Sequence, residues 1–278
     1  MQSANQFDIT PSETQLAEMS REMRFFPSTV QLPQFLRAED VTSYNERGFV
    51  SPVEIFSDEE IAVHRQYFDE LLEQALAAGQ GSYSISSAHL RYPAVYDLLR
   101  EPRIVAAVAD LLGDDVIGWG AHYFCKMPGD GKAVDWHQDA TYWPLTPTKT
   151  LTVWLAIDDA DEANGCMEFV AGSHLHGALE HRVDDGGGAS VLGRGIPDAG
   201  RLGEVVLNPL RAGQISIHSD LLVHGSRANA SQRRRCGLTL RYCTPDVVAG
   251  LQWDRKGVVV RGGDRWGHWQ NPARPTLS

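Results

Sequence analysis

The chain has 278 residues, 22% charged and 42% hydrophobic, an ordinary composition for a globular protein with one sizeable core. With 25 Lys and Arg against 36 Asp and Glu, the formal net charge of −11 argues against nonspecific binding to nucleic acid or an anionic membrane surface. No uncharged apolar run approaches the roughly 18–20 residues of a membrane span, and the N-terminal stretch has no apolar signal-peptide region.

In chain order, residues 1–50 read as a lead-in. Pro11 to Phe26 has helical spacing, with Thr10 or Ser12 as N-cap. The Pro-bounded FFPSTVQLP is extended, and a short helix over Asp40 to Asn45 precedes the strand-like GFVSPVEIF. Ser57-Asp58-Glu59-Glu60 is a capping box. The helix it opens carries Ile61, Val63, Tyr67, Phe68, Leu71, Leu72, Ala75 and Leu76 mostly at helical spacing, and Gly79 ends it. A third helical region covers Ala94 to Leu112, interrupted by Pro102.

From about Asp115 the character changes. VIGWGAHYFCKM, TLTVWLAID, CMEFVA, GEVVLN, GQISIH and CGLTLRYC read as strands separated by Gly, Pro, Asn and Asp. Helices first and strands later exclude a βαβα pattern and predict an all-β sandwich or barrel. The polar, Gly-rich stretch from His176 to Gly203 is too long for an inert connector and reads as a lid. The tail after Asp246, rich in Trp, Gly and Arg, is expected to pack outside the core. The division is one domain: a helical lead-in over 1–114, a β core over 115–245 and a tail over 246–278. Cys125, Cys166, Cys236 and Cys243 form no CxxC pair, which predicts reduced, buried thiols and a cytoplasmic setting.

Two clusters carry chemistry. In Trp136-His137-Gln138-Asp139, residues two apart on an extended segment share a face, so His137 and Asp139 can converge on one point. That is two-thirds of a His/His/carboxylate facial triad, which leaves coordination positions open on a ferrous ion. A lone HxD is a common surface tripeptide, and only the second cluster raises its weight. There His224 ends an apolar run, Gly225 permits close approach, and Ser226 offers a hydroxyl. Arg235 follows eleven residues after His224, and a guanidinium can hold a carboxylate bidentately. Arg233 and Arg234 read as a solvated charge run.

The segments WHQDATYWPLTPTKTLTVWLAIDDADEANGCMEFVAGSH and HGSRANASQRRRCGLTLRY resemble the phytanoyl-CoA dioxygenase family of Fe(II)- and 2-oxoglutarate-dependent oxygenases. The resemblance covers roughly Asp115 to Tyr242. It implies a mainly β fold, a double-stranded β-helix (jelly roll, cupin-like) with helices outside. It further implies His137, Asp139 and His224 as iron ligands, Arg235 on the distal carboxylate of 2-oxoglutarate, and Ser226 beside that carboxylate. Trp154 matches a family Trp at the co-substrate pocket, and His122 or Tyr123 would face the same pocket. Asn164-Gly165 and Gly172-Ser173-His174 match a segment that shapes barrel turns. The implied reaction consumes O2 and 2-oxoglutarate, releases succinate and CO2, and hydroxylates a small molecule. Asp at position 139 supplies the third protein ligand and disfavours halogenation.

His89, Tyr142 and Trp143 are candidate substrate contacts, with structural roles as the alternative reading. His174, His176 and His181 read as loop residues. His218 has the parity of His224 on an unbroken strand and so can face inward. Two other classes share the residues: a divalent-metal, cupin-like hydrolase or lyase, and a non-catalytic binding protein on the same fold. Arg235 speaks against the first, and the intact triad against the second.

Overall fold

The computed structural model describes residues 11–183 and 192–276. The centre of the expected lid, 184–191, lies outside the described residues, as does Thr10. Among the described residues there are five α-helices: α1 (Glu13–Ala17), α2 (Ala38–Arg47), α3 (Asp58–Ala77), α4 (Pro93–Leu99) and α5 (Pro102–Leu112). The strands are β1 (Phe49–Glu54), β2 (Val116–Lys126), β3 (Val134–His137), β4 (Leu145–Thr146), β5 (Thr150–Ala156), β6 (Met167–Val170) and β7 (Arg182–Val183). They continue as β8 (Arg194–Gly195), β9 (Val205–Asn208), β10 (Gln214–Ser219), β11 (His224–Ser226), β12 (Arg235–Cys243), β13 (Val248–Ala249) and β14 (Val258–Arg261).

The helix expected from Pro11 to Phe26 is corrected to the five residues of α1. Ser12 and Gln15 cap it reciprocally, but beyond it the chain finds partners on the barrel loops instead. Arg21 donates to the carbonyls of Ala140 and Trp143, and Thr148 and Ala178 donate their backbone N–H to Glu22 and Met23. Non-local hydrogen bonds thus override a modest helical pattern. Asp110 of α5 anchors the next extended stretch by accepting from the backbone N–H of Gln34, Phe35 and Leu36. The Ser57 capping box opens α3 as expected. Pro102 separates α4 from α5 by standing at the first helical position of α5, where its missing N–H costs nothing.

A six-stranded sheet runs β1-β10-β5-β12-β2-β14, and a four-stranded sheet runs β3-β11-β6-β9, all with antiparallel pairing. This is the jelly roll. The period of two decides what each strand offers. On β12, Cys236, Leu238, Leu240 and Tyr242 pack outward with Phe68, Leu99 and Ile104 of the helices. Arg235, Thr239 and Arg241 point the other way and line a cavity between the sheets. One face of the large sheet is therefore sealed by the helical lead-in, and its opposite face is free for polar chemistry. The tail does more than cover the core: β14 extends the large sheet beside β2, and Trp253 and Trp269 pack with Ile117 and Trp119.

Candidate active site

The first cluster forms where β3 ends. The chain stays extended through Gln138 (φ −115°, ψ 123°), then coils into a 3-10 turn over Asp139–Tyr142. The buried Gln138 side chain holds this corner: it donates to the carbonyls of Gly177 and Leu221 and accepts from the N–H of Leu179. His224 opens β11 directly opposite His137, and their ring centroids are 4.1 Å apart. Both rings are oriented from behind. His137 Nδ1 donates to the Asp135 carbonyl at 2.8 Å and His224 Nδ1 to the Leu222 carbonyl at 3.0 Å. That tautomer, assigned from the hydrogen bonds, leaves each Nε2 lone pair facing the cavity. His137 Nε2 lies 3.4 Å from Asp139 Oδ1. The ligand atoms of His137, Asp139 and His224 all fall within 4.8 Å of one another.

The electrostatics match a divalent ion. Burial, reinforced by the neighbouring His137, pushes the His224 imidazole well below its ordinary range and keeps it neutral. Burial alone would raise the Asp139 carboxyl, but His137, His224 and Arg241 outweigh it and hold it ionised, well below the usual carboxylate range. Neutral imidazoles and a carboxylate are the forms that bind metal without first releasing a proton. Two nitrogens and one oxygen on one side, with space on the other, fit a ferrous ion.

His218 also reaches the cavity, but not by the expected route. The strand is broken: β10 stops at Ser219, and the N–H of Leu222 donates to the Ser219 carbonyl in a turn before β11 begins. His218, Asp139 and Asp220 form a second possible metal trio that shares Asp139. Burial and then the Asp139 charge push the Asp220 carboxyl well above its ordinary range, and burial lowers His218 to about 4. A carboxyl shifted in that direction is a poorer metal ligand than the ionised Asp139. Thr152 Oγ1 donates to Asp220 Oδ1 at 2.7 Å.

The cavity has a volume of about 400 Å3 and is lined by all three triad residues together with Arg235, Ser226, Trp154, His122, Tyr142 and Trp143. Arg235 is buried, and its Nε and one terminal nitrogen donate to the Gly165 carbonyl at 2.9 and 2.6 Å. The Asn164-Gly165 turn, expected to be only structural, thereby aims the guanidinium. Trp154 stacks beside it, 5.4 Å from ring centroid to guanidinium carbon.

Gly237 makes room for that stacking, since a Cβ built there would lie 2.0 Å from the Trp154 ring. Gly237→Ala is therefore expected to push Trp154 into the cavity. We predict that the apparent KM for 2-oxoglutarate rises about tenfold and that overpacking destabilises the fold by about 1–3 kcal/mol. Unchanged 2-oxoglutarate kinetics in that variant would mean that the ring does not border the co-substrate.

Three expectations need correction. Tyr123 faces away from the cavity and packs on Phe68 of α3 at 4.7 Å, because its parity on β2 puts it under the helices. His89 does not line the cavity; it is fully buried and its Nε2 pairs with the Lys256 carbonyl at 3.0 Å. Arg234 is no solvated charge but a clamp, with two nitrogens on Asp158 at 2.8 and 3.0 Å and a further bond to Asp69. Arg233, more exposed, pairs with Asp161.

Sequence reasoning also missed Lys126. Lys126 is fully buried, cross-strand from Arg235, and donates to Ser226 Oγ at 2.8 Å and to the Arg227 carbonyl. Burial, then the Arg235 charge, lowers it to about 7. Its parity with His122 along VIGWGAHYFCKM was the available signal.

Residues 44–237 match the sequence profile of the phytanoyl-CoA dioxygenase (PhyH) family. The chain is 27% identical over 249 residues to a probable alpha-ketoglutarate-dependent hypophosphite dioxygenase of Stutzerimonas stutzeri, covering 81% of this chain and 86% of that protein. It is 27% identical over 231 residues to an ectoine dioxygenase of Bordetella parapertussis, covering 74% and 75%. Among solved structures, the non-heme monooxygenase ThoJ superposes with a TM-score of 0.71 at 29% identity, over 84% of this chain and 87% of that one. The alpha-ketoglutarate-dependent carbocyclase SnoK from nogalamycin biosynthesis superposes with a TM-score of 0.64 at 26% identity, over 78% and 88%. No described helix is long and apolar enough to cross a membrane. The chain belongs to the phytanoyl-CoA dioxygenase family of Fe(II)- and 2-oxoglutarate-dependent oxygenases.

Proposed function

We propose that His137, Asp139 and His224 hold the ferrous ion, that Arg235 grips the distal carboxylate of 2-oxoglutarate, and that the chain hydroxylates a C–H bond of a small-molecule metabolite. The observation that supports this most is the sharing of one cavity by three converging ligand atoms and a buried guanidinium. When bound, the ferrous ion and 2-oxoglutarate supply the oxidising power: O2 is consumed, succinate and CO2 leave, and oxygen passes to the substrate.

The protein's share is binding, orientation and exclusion of water. The Asp135 and Leu222 carbonyls lock the two imidazoles. Gly165 fixes one edge of the Arg235 fork and leaves its other terminal nitrogen for the carboxylate. Lys126 fixes the Ser226 hydroxyl beside it. His122, whose Nε2 pairs with the Tyr83 carbonyl at 3.0 Å, lines the same space. Tyr142 and Trp143 form a wall that sheds water from the reacting centre.

We also read the lead-in, core and tail as one domain, because β1 and β14 tie both ends of the chain to the large sheet. Four free, buried cysteines support a cytoplasmic setting. A metal-dependent hydrolase would need no guanidinium clamp. The deciding assay is release of succinate from 2-oxoglutarate with and without added Fe(II), across a small-molecule library. Fe(II)-dependent succinate supports the proposal, and hydrolysis or lyase activity without any succinate would replace it.

A further inference from the structure

The cavity has a second arginine. Arg241 lies on the same inner face of β12 as Arg235, six residues or roughly 20 Å further along the strand. It belongs to the Asp139 side of the site: its cross-strand partner is Thr152, whose hydroxyl points to Asp139 Oδ2 at 3.5 Å. The other arginines near the cavity are engaged. Arg235 is held by Gly165, Arg194 pairs with Glu13, and Arg227 lies outside on Glu162 and Glu168.

Arg241 is different. Among the described residues no carboxylate comes within ion-pair distance of it, and its Nε is shielded from solvent without a hydrogen-bond partner. It is held by its faces instead. Trp143 lies 5.0 Å and Trp119 5.9 Å from the guanidinium carbon, ring centroid to atom. Stacking restrains the plane of a guanidinium and leaves its in-plane N–H donors free. A guanidinium with no anionic partner at the wall of a cavity suits a planar or tetrahedral oxyanion, which its two terminal nitrogens can grip bidentately. The nearby acids do not meet this demand. Asp139 is committed to the metal in the reading above, and Asp220 accepts from Thr152 and, among the described residues, makes no ion pair with Arg241. Tyr142, Trp143 and Trp253 line the same end of the cavity and offer an apolar wall.

We propose that Arg241 is a substrate-recognition residue, and that the substrate carries an oxyanion, a carboxylate or a phosphonate, on an apolar stem that packs against these aromatic rings. Arg235 and Arg241 then sort two anions, the co-substrate at one end and the substrate at the other, with the metal between them. This rests on the assignment of Arg235 to 2-oxoglutarate.

The test uses the full chain loaded anaerobically with Fe(II) and saturating 2-oxoglutarate, so that the Arg235 end is filled. Binding of 3-phenylpropionate, 2-phenylethylphosphonate and the neutral 3-phenylpropionamide is followed by tryptophan fluorescence, while the visible iron–2-oxoglutarate band is monitored in the same sample. At least one anion is expected to bind at least about tenfold tighter than the amide, or about 1.4 kcal/mol. Whichever anion binds tighter identifies the oxyanion class. Arg241→Gln should erase the preference, and Arg241→Lys, which keeps the charge but loses the fork, should retain part of it. Both variants should keep the near-ultraviolet dichroism of a folded chain and, at saturating Fe(II) and 2-oxoglutarate, which offset any weakened ionisation of Asp139, the visible band. If the band forms but no probe binds, the amide binds as well as the anions, or the preference survives in Arg241→Gln, the proposal is wrong. If the band never forms in the unaltered protein, the Fe(II)/2-oxoglutarate reading fails first and the proposal falls with it.

Discussion

His224→Ala is expected to lower Fe(II)-dependent turnover by at least about a thousandfold while leaving a folded protein. The size follows from what is removed. A metal that supplies several kcal/mol of transition-state stabilisation loses one of its three proposed protein ligands, and each 1.4 kcal/mol is a factor of ten. The structural cost is smaller. The Leu222 carbonyl loses its partner and a small cavity opens beside Phe169 and His218, together about 1–3 kcal/mol. Bound iron measured after desalting should fall in parallel with turnover, and the dichroism spectrum should not change. Retained iron and activity would transfer the ligand role to His218, whose ring lies 4.8 Å from that of His224.

Arg235→Ala should raise the apparent KM for 2-oxoglutarate by at least about 30-fold, the equivalent of about 2 kcal/mol or more for truncating one partner of a buried ion pair. Iron binding without co-substrate should be unaffected, because Arg235 touches no triad residue; its polar contacts are both to Gly165. Arg235→Lys should recover only part of the loss, since an ammonium cannot hold both Gly165 and a carboxylate in the same plane. This split between metal and co-substrate affinity separates a clamp from a residue that merely supports the barrel. Equal weakening of both would point to the second.

The legible parts of the site were those whose chemistry is local in sequence. The HxD corner, the His-Gly-Ser strand and the later arginine each carry their meaning in a few consecutive residues, and the structure brings all of them to one cavity. The alternation in CGLTLRYC likewise foretold a strand with two unlike faces. Which face is inner is not a local property. Tyr123 and His122 differ only in parity, and the answer depends on α3 covering one side of the large sheet. Lys126 was overlooked for the same reason, since its significance arises only from the β2–β12 register that sets it opposite Arg235.

The lead-in failed differently. Residues 18–26 have a helical pattern, but their hydrogen-bonding groups are claimed by Ala140, Trp143, Thr148 and Ala178, residues more than a hundred positions away. Gln138 shows the converse. It stands between two proposed ligands with no signal of its own, yet its amide joins three loops and holds the corner from which Asp139 turns inward.

The most direct test of the account is an anaerobic titration of metal-free protein with Fe(II) and then 2-oxoglutarate, watched for the weak visible charge-transfer band of the chelate. The account predicts a band that needs both additions, saturates at one equivalent of iron, is lost in His224→Ala, and requires far more 2-oxoglutarate in Arg235→Ala. An iron-loaded protein that gives no band, or a band indifferent to both substitutions, would contradict it.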